Sequence, residues 1–170
     1  MDLKTLIRDI PDFPTEGILF RDITTLLREP EGLHFAIDEI CRRVEGVKFD
    51  LVLGPESRGF IFGVPVAYKL NKGFIPVRKA GKLPFNTHSQ SYDLEYGKNT
   101  LELHIDAVKP GQKVVIVDDL LATGGTLNAM VKLIQKAGGE VAMIVCLIEL
   151  EGLSGREVLG HIPVETLIQY

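Results

Sequence analysis

VVIVDDLLATGGT, residues 114–126, decides how the rest of the chain is read. Its first four residues are β-branched and apolar, the make-up of a strand buried on both faces. The run ends on two adjacent carboxylates, Asp118 and Asp119, and then on small and hydroxyl residues that ordinarily form a loop. Buried carboxylates are costly unless something faces them. In an open parallel sheet, ligands gather at the carboxyl ends of strands, where loops lead into helix N-termini.

The neighbouring segments place that strand in a sheet. FDLVLG (49–54), GFIPVRK (73–79), KVVIVDD (113–119) and EVAMIVCLIE (140–149) are further strand-like runs rich in Val and Ile. Between them, Leu33, Ile37, Ile40 and Val44 recur at helical spacing. So do Leu127, Val131, Ile134 and Ala137, before Gly138 and Gly139 stop the helix. The pattern predicts an α/β fold, a doubly wound and mainly parallel central sheet flanked by helices. One stretch breaks the rhythm: residues 80–100 are polar, with Gly and turn formers, and Leu101, Leu103 and Ile105 then alternate with Glu102, His104 and Asp106. This reads as a flexible β-hairpin lid over 80–106, half exposed and outside the central sheet. FPTEGILFRDI (13–23) and VETLIQY (164–170) are expected to form a small hood, so that about 1–30 and the C-terminal tail cap one edge of a single domain spanning 1–170.

Composition narrows the function. With 170 residues, 45% hydrophobic and 25% charged, the chain can bury one substantial core. A net charge of −4 argues against broad nucleic-acid binding, which rests on many phosphate contacts, but leaves room for a local cationic cluster. Cys41 and Cys146 are far apart with no C-x-x-C, so neither disulfide nor zinc site is expected. His34, His88, His104 and His161 form no ligand pattern. Charges interrupt MDLKTLIRDI, and no apolar run approaches a membrane span, so neither signal peptide nor anchor is expected and the compartment is the cytoplasm.

The residues after the acids explain them. Gly124 and Gly125 let backbone N–H groups converge, and Thr123 and Thr126 add hydroxyls just before a helix; with Ala122 they form a cradle for a phosphate. The acids beside it suit a partner that donates hydrogen bonds, and a vicinal ribose diol does so. Acids for the sugar and amides for its phosphate fit a ribose 5-phosphate. G-x-x-x-x-G-K-[ST] and G-x-G-x-x-G are both missing. The plainer reading is that Asp118 and Asp119 only cap the following helix.

The string resembles the phosphoribosyl-pyrophosphate-binding motif of the type I phosphoribosyltransferases. FPTEGILFRDIT (13–24), GPESRGFIFG (54–63), VRKAGKLP (77–84), SYDLEYGK (91–98) and the tail from LIELEGLSGRE to LIQY are similar to the adenine-using branch of that family, in the same order along nearly the whole chain. The resemblance implies transfer of the 5-phosphoribosyl group of phosphoribosyl pyrophosphate to N9 of adenine, giving AMP and pyrophosphate. Mg²⁺ is implied as cofactor, held mainly by the substrate's diphosphate and waters with no dedicated protein ligands, and a homodimer as the assembly. Asp118 and Asp119 would hold the ribose hydroxyls and favour its developing positive charge, and the 122–126 loop would take the 5′-phosphate. The loop with Glu56, Ser57 and Arg58 would grip pyrophosphate, joined by Arg78, Lys79 and Lys82, some of them across a subunit boundary. Leu19 and Arg21 would read the adenine edge through their backbone, Phe20 would stack on the ring and Leu150 would close the pocket. Relatives using hypoxanthine usually carry an acid where this chain has Ala122, so the proton donor for N7 falls to Glu95, with Tyr96 covering C1′. The chain departs from bacterial adenine enzymes at Ala80, commonly Pro there, and in the lid tip FNTHSQ. The alternatives are a sister enzyme for another purine base and a non-catalytic regulator that binds phosphoribosyl pyrophosphate.

Overall fold

The computed structural model of the chain describes residues 1–94 and 96–170; Glu95 lies outside the described residues. After a 3-10 turn (Leu3–Leu6) come β1 (Arg8–Ile10) and β2 (Phe20–Asp22), then the single turn α1 (Thr24–Leu27), α2 (Pro30–Arg43), β3 (Leu51–Pro55), α3 (Arg58–Lys69) and β4 (Gly73–Lys79). A hairpin of β5 (Thr87–Asp93) and β6 (Lys98–His104) precedes β7 (Lys113–Leu121), α4 (Gly125–Lys136), β8 (Glu140–Glu149), α5 (Gly155–Leu159) and β9 (Val164–Gln169).

Seven strands form one sheet in the order β5-β6-β4-β3-β7-β8-β9. Strands β4, β3, β7, β8 and β9 are parallel, and the hairpin adds two antiparallel strands at one edge. The continuous apolar run of β7 is explained by burial on both faces. Val114 and Ile116 pack with Leu127, Met130 and Ile134 of α4, whereas Val115 and Val117 pack with Ile40 of α2 and with Phe62 and Val66 of α3. Each face of the sheet thus has its own apolar layer, as a doubly wound fold requires. Helix α3 is apolar on two sides: Phe62 and Val66 are buried, while Ile61, Val64 and Tyr68 are exposed.

Two expectations change. The strand carrying Leu101 and Leu103 belongs to the central sheet, since β6 joins β4 through Arg78↔Glu102 and Lys79↔Leu101, and both leucines are fully buried under α4. Segment 164–169 is likewise a sheet strand, paired with β8 from Ile144↔Val164 to Glu149↔Gln169. Its final neighbour Tyr170 is what reaches the N-terminal segment, where the Arg21 guanidinium lies 3.7 Å from its ring centre. Among the described residues, no helix is long and apolar enough to cross a membrane.

The N-terminal piece is a two-stranded antiparallel sheet, Ile10↔Phe20 to Arg8↔Asp22, tied down by one buried acid. Asp22 accepts from the Thr24 N–H at 3.0 Å and from Arg8 Nε at 3.0 Å. The Thr24 N–H first, then Arg8, lower its pKa from the ordinary 3.8 to about 2. A carboxyl depressed on folding contributes stability above its unfolded pKa and loses it as pH falls through the folded one. Asp22→Asn should therefore destabilise the protein by about 1–2 kcal/mol at neutral pH. Urea melts should show the parent losing stability between about pH 4 and pH 2, and the variant losing less; equal acid sensitivity would contradict the assignment.

Candidate functional site

Strands β3 and β7 are parallel neighbours, so the loops that follow them leave the same end of the sheet. β3 passes through Glu56 and Ser57 into α3, whose first residue is Arg58. β7 runs two residues past its acids and turns at Ala122 and Thr123 into α4. The turn depends on Gly124, which adopts φ +86° and whose added Cβ would stand 2.6 Å from the Gly155 carbonyl oxygen. No other residue type fits both the conformation and the space. The first N–H groups of α4 have no carbonyl partner within the helix, so they face the opening as donors at its positive end.

Between the two loops lies a cleft of about 370 Å³, lined by Glu56, Ser57, Arg58, Lys79, Asp118, Asp119 and by Ala122, Thr123, Gly124, Gly125 and Thr126. One wall is cationic and the floor is acidic. Asp119 Oδ2 accepts from Arg58 Nε at 2.5 Å, and Asp118 Oδ1 accepts from the Asp119 N–H at 2.8 Å. Burial, and then the Asp119 charge beside it, push the Asp118 carboxyl well above the ordinary Asp value, with Arg58 pulling the other way. Behind Asp118, Cys146 is its register partner on β8, and burial pushes that thiol well above its usual range.

Glu56 lines the cleft with its carboxylate already engaged by the cationic strand end. Its carboxylate accepts from the Lys79 N–H at 2.7 Å and from Arg78 Nη2 at 3.3 Å, with Lys82 Nζ at 3.9 Å. Burial opposes its charge, yet the Lys79 N–H and the Arg78 guanidinium outweigh it and hold the carboxyl below the usual Glu range. Its own N–H goes to the Val77 carbonyl at 2.9 Å. Glu56 thus fastens the cationic strand end to the loop after β3.

The remaining expected residues lie around the rim. Phe20 packs edge-on against Phe13 at 5.1 Å and has the Arg58 guanidinium 5.8 Å from its ring centre. Leu19 is exposed, and Arg21 pairs with Asp9 at 2.5 Å while covering Tyr170. Leu150 packs on the α2 and α3 side of the sheet and donates its N–H to the Leu121 carbonyl at 2.9 Å. Tyr96 is exposed beside the hairpin turn, away from the cleft lining.

Tyr92 was missed. It lines the cleft, and its hydroxyl oxygen accepts from Thr126 Oγ1 at 3.1 Å, joining the hairpin to the start of α4. In β5 Gln90 and Tyr92 face inward between the exposed Ser89, Ser91 and Asp93, an alternation that the polar sequence THSQSYD does not display. Among the described residues, no group of three His, Cys, Asp or Glu side chains is arranged to hold a metal ion.

Along nearly its whole length the chain is similar to known proteins. The profile of the family described as “Phosphoribosyl transferase domain” matches residues 23–167. Adenine phosphoribosyltransferase of Lachnoclostridium phytofermentans is 57% identical over 168 residues, covering 99% of this chain and 97% of the relative. The crystal structure of adenine phosphoribosyltransferase from Thermoanaerobacter pseudethanolicus superposes with a TM-score of 0.97 at 51% identity, covering 99% of this chain and 98% of the other. That from Saccharomyces cerevisiae, complexed with an imino-altritol bisphosphate and adenine, gives 0.92 at 39% identity over 98% and 96%.

Proposed function

The chain belongs to the phosphoribosyltransferase family, and from that premise we propose how its cleft carries the 5-phosphoribosyl group of phosphoribosyl pyrophosphate to N9 of adenine, giving AMP and pyrophosphate for purine salvage. One observation carries the division of labour: a buried pair of acids stands between a cationic loop and a glycine-rich helix start in a single cleft. As the bond from C1′ to pyrophosphate breaks, positive charge grows on the ring and negative charge on the leaving group. Asp118 and Asp119 hold the ribose hydroxyls and stabilise the first. Arg58, Arg78, Lys79 and Lys82, with the N–H groups of Ser57 and Arg58, take the second, and Glu56 keeps two of those cations in place. Ala122, Thr123, Gly124, Gly125 and Thr126 hold the 5′-phosphate.

Mg²⁺, carried in on the diphosphate oxygens and waters, would share the leaving group's charge; oxygen donors from substrate and solvent suit that ion without a side-chain cage. Phe20 stacks on adenine from the rim, the backbone of Leu19 and Arg21 reads its edge, and Leu150 bounds the pocket opposite. Glu95 handles the N7 proton, and Tyr96 covers C1′ against water. The hood is residues 1–30, and the lid is the hairpin with its flanks. A second copy packs on the exposed face of α3, where Ile61, Val64 and Tyr68 form an apolar stripe that begins next to Arg58. The unpaired buried thiols of Cys41 and Cys146 suit a reducing compartment, the cytoplasm.

The test is release of pyrophosphate with each base in turn. Adenine offers a C6 amino donor and an N1 acceptor where hypoxanthine offers the reverse, so fixed backbone groups that suit one leave polar atoms unpaired with the other. Hypoxanthine should be poorer in kcat/KM by at least about 10²-fold. Comparable turnover of both bases would contradict the base assignment, and tight binding of phosphoribosyl pyrophosphate without turnover would point to a regulator.

A further inference from the structure

The turn after β8 contains an ion pair that the chemistry above does not use. Glu149, the last residue of β8, is buried, and Arg156 in α5 grips it with two parallel bonds, Nε to Oε1 at 2.7 Å and Nη2 to Oε2 at 2.7 Å. Arg156 Nη1 also donates to the Val164 carbonyl at 2.7 Å, and Thr166 Oγ1 donates to Glu149 Oε2 at 2.9 Å. The end of β8, the start of α5 and strand β9 are thereby knotted together. Paired guanidinium and carboxylate planes fix orientation as well as distance. The Arg156 hydrogen bond is also what most lowers the Glu149 pKa, so the pair is ionised at neutral pH.

Directly before Arg156, the backbone of Gly155 presses on the turn between β7 and α4. A Cβ at Gly155 would stand 2.4 Å from the Ala122 carbonyl oxygen and 3.2 Å from the Gly124 nitrogen. The contact is reciprocal, because a Cβ at Gly124 would meet the Gly155 carbonyl oxygen at 2.6 Å. The Leu121 side chain also touches this spot, at 2.7 Å, but the tightest contact in each direction is backbone against backbone, which cannot give way as a side chain can. The place of Gly155 therefore limits how the 122–126 turn can bend, and Arg156 holds the place of Gly155.

We propose that Glu149 and Arg156 are a positioning pair for the 5′-phosphate: by holding Gly155 against Gly124 they keep the N–H groups of the 122–126 loop converged on one point. The inference rests on the reading that this loop takes the phosphate. Neither side chain lines the cleft, so the pair acts through the backbone. Loosening the residues that orient metal ligands weakens binding by about 10- to 100-fold, and a loop held by its backbone is expected to respond on the same scale.

Arg156→Lys keeps the charge but cannot form the parallel bonds, and Glu149→Gln keeps one acceptor and removes the charge. Calorimetry would measure ribose 5-phosphate and, separately, pyrophosphate with Mg²⁺, at a temperature where circular dichroism shows each variant folded. We expect ribose 5-phosphate to bind at least about tenfold more weakly while pyrophosphate affinity is unchanged. A purely structural role would move melting temperature without that selectivity, so equal weakening of both ligands, or of neither, overturns the proposal. Should Arg156→Lys fail to fold, Glu149→Gln alone decides by the same two affinities. Thr123→Asp, which puts a like charge into the loop, separates the premises. If it leaves ribose 5-phosphate binding intact, the loop is not the phosphate site; if it abolishes binding while Arg156→Lys and Glu149→Gln bind normally, only the pair is wrong.

Discussion

Replacing both acids, Asp118→Asn together with Asp119→Asn, should lower turnover by about 10³-fold while the protein melts no lower than the parent. The two halves of that expectation have one cause. Asp118 is buried next to a second carboxylate, so its charge costs folding energy, as its raised pKa records. Asparagine fills the same space, still donates and accepts hydrogen bonds, and removes that cost. It cannot, however, face a ribosyl ring with negative charge at the moment the bond to pyrophosphate breaks. The Arg58 partner of Asp119 is half exposed and can turn to water, so its loss offsets little. The same raised pKa has a consequence in acid. A carboxyl lifted on folding stays protonated to a higher pH than usual, so activity should fall toward acid above the ordinary Asp range, and Asp118→Asn alone should erase that limb. Initial rates of pyrophosphate release across pH, beside thermal melts, give both results. Turnover within a few-fold of the parent would remove the acids from the chemistry.

The second large effect is expected at Glu95, for which Glu95→Ala should reduce kcat by about 10²- to 10⁴-fold and leave phosphoribosyl pyrophosphate affinity unchanged. In AMP formation from the N7–H tautomer of adenine, N9 uses its lone pair to bond C1′ and the N7 proton passes to Glu95; in the reverse direction Glu95 is the donor that returns it to N7. Ala122 offers no acid beside the phosphate loop. Glu95 lies outside the described residues, but the strands that flank it do not. Tyr92 binds Thr126 at the start of α4, and the Leu94 N–H meets the Gly97 carbonyl at 2.9 Å, so β5 leads toward Glu95 from a residue that lines the cleft. Glu95→Gln separates proton transfer from mere contact, since the amide can hold N7 but cannot take its proton. Both variants should be similarly slow in single-turnover experiments. A Gln variant as fast as the parent would leave Glu95 with no chemical role.

How much of this was legible depended on how locally each feature is encoded. The strands at 73–79 and 140–149 could be bounded by eye, because their β-branched runs begin and end on turn formers. The loop of Thr123, Gly124, Gly125 and Thr126 announces itself, since adjacent glycines let amides converge. Features made by distant contacts were harder to read. Nothing in THSQSYD says that Tyr92 meets Thr126, 34 residues later. Leu101 and Leu103 alternate with polar residues like a half-exposed strand, and only α4 lying across them makes their face a core. Segment 164–169 has the length and polarity of a cap strand, and its place beside β8 becomes visible only once Arg156 ties Glu149 to it. Glu56 sits in a loop expected to hold an anion, yet it faces the Lys79 N–H and Arg78 because β4 brings both to its side.

The footing of the hairpin also limits its travel. Leu101 and Leu103 are sealed beneath α4, so any swing must pivot beyond them, toward the turn between β5 and β6. A short arm on a fixed base would have little reach, but it would return to the same spot on every stroke. Such an arm favours accuracy over amplitude, and the rest of the sheet can stay rigid while it moves.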